Sequence, residues 1–165
     1  MQGFDEKSPC SLTPETSALF EDILHKGLHL RCKATGRSMS SFLRGGETLT
    51  IKKVPSQSLK RGDLIFFRDR NGSLILHRII KKSMKDNTII FQTKGDALIA
   101  FDEPVHENEV LGKVCKIERM IAGGKTKYID MESYSWRRIN YLIALVNLFR
   151  IETYSLFYRI LRGTF

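Results

Sequence analysis

The spacing of apolar residues changes character along the chain, and each change predicts an element. Leu19, Phe20, Ile23 and Leu24 recur at the 3.6-residue period of a helix with one buried face. Thr13-Pro14-Glu15 before them supplies an N-cap, a residue suited to the first turn and an acid for its positive end. Gly27 is the expected stop. Leu28 to Thr35 then alternates as a strand ending at Gly36. From Leu49 to Phe91 the chain reads as short strands separated by turns. Leu49–Ile51 is the first, and Asp63–Arg68 follows the turn at Arg61-Gly62. Asn71-Gly72, a strong hairpin signal, joins that strand to Leu74–Ile80. Asp86-Asn87 marks a turn before Thr88–Phe91, and Val110 to Ile121 forms a further strand closed by Gly123-Gly124.

Strands at this spacing, with few helices between them, predict a mainly β core rather than βαβ units. After Met131 the pattern returns to helix. Tyr134 to Leu161 is aromatic, aliphatic and arginine-rich, without Gly or Pro, and predicts one or two helices appended to the β domain. The expected organisation is a flexible tail over 1–12, a catalytic domain over 13–131 and a basic helical extension over 132–165.

At 165 residues the chain is long enough for one domain with a real core, and 42% hydrophobic with 27% charged residues is ordinary for a globular protein. The net charge of +9 is what changes the picture. It favours anionic partners, and it gathers in the tail as Arg137, Arg138, Arg150, Arg159 and Arg162 against the single acid Glu152. The tail is expected to pack on its own domain or on a homo-oligomer mate. An anionic membrane surface comes next, and nucleic acid is disfavoured because no recognition module accompanies the charge. Ile139–Phe149, the longest apolar stretch, is interrupted by Asn140 and Asn147 and is shorter than the roughly 20 residues that span a bilayer. The acidic, polar start differs from a signal peptide, and Cys10, Cys32 and Cys115 form no metal-like pair. A cytoplasmic protein, peripheral to the membrane at most, is expected.

Three segments carry candidate chemistry: Gly36-Arg37-Ser38-Met39, His77-Arg78, and Thr93-Lys94-Gly95-Asp96 with Asp102 beyond it. A serine hydroxyl attacks a carbonyl only when a base takes its proton, and a third group usually orients that base. Ser38 follows a glycine where the backbone can turn tightly; His77 interrupts an aliphatic strand. Taken singly, Ser38 and Asp102 read as turn residues and His77 as a half-buried polar residue.

Together, and with Lys60-Arg61-Gly62-Asp63-Leu64-Ile65-Phe66-Phe67-Arg68 between them, they resemble the signal peptidase I superfamily in its serine–histidine branch. The likeness runs from about Arg31 to Val114, with the motifs in family order. It implies Ser38 as nucleophile, His77 as base and Asp102 as the third member, with Asp96 the second choice for the histidine's partner. It further implies a serine endopeptidase that needs no cofactor or metal and acts on a peptide or protein substrate with small residues at the cut. The implied fold is the family's coiled β-sheet domain, here with a short N-terminal helix and a C-terminal basic helical extension. The chain departs from the family pattern in having Ser40-Ser41 where a proline commonly follows the methionine by two residues.

Two other readings compete. A self-cleaving repressor of the same superfamily would use a lysine base and carry a DNA-binding domain; the equivalent strand position here is His77, and the segment before Ser38 is short. A catalytically silent binding module could keep the β scaffold, but it would have no need of Ser38, His77 and Asp102 together.

Overall fold

A computed structural model describes residues 14–162. The tail over 1–12, Cys10 and the Thr13 cap lie outside the described residues. Helix α1 (Pro14–His25) ends as the sequence suggests. Gly27 takes the left-handed conformation (φ 73°), and the Leu28 and Gly27 amides donate to the Ile23 and Leu24 carbonyls, which closes the last turn. Leu24 is buried and Phe20 and Ile23 pack beside it, whereas Leu19 points outward.

Among the described residues eight strands follow: β1 (Leu30–Lys33), β2 (Thr48–Lys52), β3 (Leu64–Arg68), β4 (Leu74–Lys85), β5 (Thr88–Lys94), β6 (Val105–His106), β7 (Val110–Met120) and β8 (Thr126–Asp130). They form one antiparallel sheet in the order β1-β2-β7-β3-β4-β5-β6, with β8 also paired to β7. The protein is mainly β. At Asp86 and Asn87 both residues have positive φ (49° and 62°), the geometry of a two-residue hairpin turn, and β4 runs straight into β5 through it.

Because successive side chains of a strand point to opposite faces, the sheet carries two cores. Leu64, Phe66, Leu74 and Leu76 join Leu49, Ile51, Val114 and Ile117 on one face. Ile65, Phe67, Ile75 and Ile79 join Ile89, Phe91 and Val105 on the other. Leu74–Ile80 is therefore buried throughout, while Lys81–Lys85 continues the same strand in solvent. A bulge between Ile79 and Lys81 bends β4 just beyond His77-Arg78, and further register shifts occur where β7 pairs with β2 and with β3.

A single helix, α2 (Tyr134–Arg162), succeeds β8. Asn140, Ala144 and Asn147 share one face at i, i+4 and i+7, and all are buried. Contact is backbone to backbone at Gly62, where a Cβ would lie 2.7 Å from the Asn140 carbonyl carbon; its φ of 95° also favours glycine. Elsewhere on α2, Ile139, Leu142, Val146 and Phe149 are exposed. Among the described residues no helix is long and apolar enough to cross a membrane.

Candidate active site

Strand β4 brings His77 and Arg78 side by side and sends them to opposite faces. Across the hairpin, Ile79 pairs with Thr93 and Arg78 with Lys94, so Thr93 shares the histidine's face and Lys94 the arginine's. Two polar assemblies result, one on each side of the sheet.

On the first face the His77 side chain is fully buried (0% exposed), its ring edge-on to Phe67 at 6.4 Å between centroids. Its Nδ1 lies 2.6 Å from Asp102 Oδ2. The same carboxylate oxygen accepts a hydrogen bond from Thr93 Oγ1 at 2.7 Å. The Asp102 backbone is anchored as well: its N–H donates to the Thr93 carbonyl, and its carbonyl accepts from Gln92 Nε2. A carboxylate held at Nδ1 keeps a neutral imidazole protonated there and leaves Nε2 as the acceptor. That nitrogen is buried and has no hydrogen-bond partner among the described residues. An unpaired buried acceptor costs about 1–3 kcal/mol and so calls for an explanation, as does Glu47 Oε2, the other buried side-chain atom without a partner among the described residues.

The turn after β5 lies against this nitrogen. A Cβ on Gly95 would sit 2.9 Å from His77 Nε2 and 2.7 Å from the Ser38 carbonyl oxygen, so only glycine fits between them. The Ala97 N–H donates to that Ser38 carbonyl at 2.9 Å, and the Asp96 N–H approaches Met39 Sδ at 3.3 Å. Ser38, 9% exposed, thus shares the Gly95 turn with the imidazole, although its hydroxyl and Nε2 are not hydrogen-bonded.

The loop that carries Ser38 is stapled without proline. The Ser40 N–H donates to the Arg37 carbonyl, and the Phe42 and Leu43 amides donate to that of Met39. Met39 and Leu43 enter the core, and Arg119 grips the loop through the Phe42 carbonyl (2.9 Å) and Glu47 (3.0 Å).

On the second face Arg78 is fully buried and meets Asp96 through Nε (2.8 Å) and Nη2 (2.7 Å). Nη1 donates to the Gly62 carbonyl and to Asn140 Oδ1, while the Phe42 ring covers the guanidinium at 4.8 Å. Lys94 is also buried, donating to the Gly95 carbonyl (3.0 Å) and Asn147 Oδ1 (2.9 Å). Desolvation pushes its ammonium below the usual lysine range, an effect that the nearby Asp96 opposes. Asn147 Nδ2 closes the network on Asp96 Oδ1 at 2.8 Å.

The three residues singled out in the sequence therefore meet as follows. His77 and Asp102 are in direct contact, and Ser38 joins them through the Gly95 turn. Asp96, the second choice for the histidine's partner, is instead the counter-ion of Arg78. Thr93 stands in a candidate segment without a role of its own at the level of sequence, and Asn140 and Asn147 have none there. The one signal for the asparagines was their seven-residue spacing inside an apolar helix, the spacing of one helical face.

Comparison of the chain with protein-family models, curated proteins and solved structures gives no match.

Proposed function

We propose that the protein is a serine endopeptidase in which Ser38 is the nucleophile, His77 the general base and Asp102 the group that orients it. The observation that carries this reading is the buried His77: Nδ1 bound to a carboxylate, Nε2 unpaired, and the Ser38 backbone on the same glycine turn. A buried histidine kept only for structure usually has a partner at both nitrogens. A silent binding module gives no reason to leave one of them without a partner.

In this reading the Ser38 hydroxyl oxygen attacks the carbonyl carbon of a peptide bond while His77 Nε2 takes its proton. Asp102 stabilises the imidazolium that forms. Backbone N–H groups near Ser38, its own first, stabilise the oxyanion. The proton then passes from Nε2 to the departing amine, leaving an ester on Ser38. Water deprotonated by His77 attacks that ester, releases the new carboxyl terminus and restores the hydroxyl. The Ser38 Oγ to Nε2 hydrogen bond is the contact that substrate must complete, as catalytic bonds often tighten only once substrate is bound.

Covalent capture tests the assignment. A fluorophosphonate should phosphonylate Ser38 in the folded protein, located by mass spectrometry of the digested adduct, and His77→Ala should abolish the adduct. An unmodified Ser38 after prolonged exposure would count against a nucleophilic serine.

A further inference from the structure

We propose that Asn147 is a positioning residue for the Ser38–His77 pair, and that α2 is thereby part of the active site; the inference rests on the peptidase reading above. Its side-chain amide is buried and makes two unlike contacts at once. Nδ2 donates to Asp96 Oδ1 at 2.8 Å, and Oδ1 accepts from Lys94 Nζ at 2.9 Å. Those partners flank Gly95, where a Cβ would come within 3 Å of both the Ser38 carbonyl oxygen and His77 Nε2. Asn147 therefore clamps both shoulders of the turn on which nucleophile and base rest.

The turn transmits that restraint by short links. The Ala97 N–H holds the Ser38 carbonyl at 2.9 Å, and the Asp96 N–H faces Met39 Sδ at 3.3 Å. A shift of Gly95 moves Ser38 relative to the imidazole, whose own place is fixed from the other side by Asp102, itself held by Thr93 Oγ1. Placement of reacting groups is steep in its effect: about 1 Å of displacement from a distant substitution costs on the order of 10²-fold in rate.

Asn147 contributes little else. The Arg78–Asp96 pair keeps its own contacts without Asn147, and Asn140 together with the Gly62 packing still fastens α2 to the sheet. Without Asn147 Oδ1, however, the buried Lys94 ammonium keeps, among the described residues, only the Gly95 carbonyl as a hydrogen-bond acceptor. A buried cation with an unmet donor draws in water or shifts its backbone, and the backbone nearest to it is this turn. Asparagine is a poor helix former, so its presence here follows from its contacts rather than from helix propensity.

The test uses full-length Asn147→Leu, with Asn147→Ser as a second variant should the first not fold. Turnover of a cleaved peptide and amide hydrogen exchange are measured in parallel. We expect kcat to fall by about 10²-fold while KM changes by less than about twofold. The Ala97 amide should exchange at least about tenfold faster, with the strand amides of Ile51 and Val114 unchanged. Unchanged exchange at Ala97 would overturn the proposal. So would an equal acceleration at Ala97, Ile51 and Val114, which describes general loss of stability. If the wild type cleaves no peptide, the peptidase reading fails on that result, and exchange at Ala97 alone decides whether Asn147 holds the turn.

Discussion

Replacing Ser38 or His77 by alanine should each lower turnover by about 10⁶-fold, and replacing both should lower it no further. The physical reason is shared function. A hydroxyl without a base is barely nucleophilic near neutral pH, and a base without a hydroxyl to deprotonate has nothing to activate. Since His77 is fully buried and Asp102 would lose its ring partner, His77→Gln serves as a second variant if alanine weakens the fold. Steady-state kinetics on purified proteins of matched thermal stability measures the effect. Independent, multiplicative losses would mean that Ser38 and His77 do not act as one unit.

The second large effect separates the two aspartates. Asp102→Asn should leave the fold intact and lower kcat by about 10⁴-fold, because an amide at Nδ1 favours the wrong imidazole tautomer. Asp96→Asn should act on stability instead. It leaves the fully buried Arg78 guanidinium without a carboxylate, and breaking a buried ion pair in this way costs about 3–5 kcal/mol. Chemical denaturation and kinetics on the same samples distinguish the outcomes. A stable Asp96→Asn protein with no activity, beside a fully active Asp102→Asn, would transfer the orienting role to Asp96.

Much of this arrangement is legible in the residues, for identifiable reasons. Asn71-Gly72, Asp86-Asn87 and Gly27 each demand a particular backbone, so the hairpins and the end of α1 can be read locally. Strands β6 and β8 give weak local signals. β6 has only two residues, and β8 buries only Ile129. The far half of β4 runs through five exposed residues that continue as strand because β5 pairs with them, a long-range fact. The site residues Ser38, His77 and Asp102 stand out because their motifs occur in a recognisable order. Which aspartate meets the histidine depends on strand phase: Lys94 pairs with Arg78, which directs Asp96 towards the arginine's face. Asn140 and Asn147 look like interruptions of an apolar helix until the sheet beneath them shows two buried cations and a carboxylate. Burial of Lys94 was equally hidden, since a lysine at a strand end is ordinarily a solvated one.

The central claim is that Ser38 cuts peptide bonds. Its most direct test is digestion of a peptide library rich in small residues, with new termini identified by mass spectrometry. Wild-type protein should generate new C-termini after small residues, and Ser38→Ala, folded to the same thermal stability, should generate none. Equal cleavage by both proteins, or none by the wild type across the library, would contradict the account.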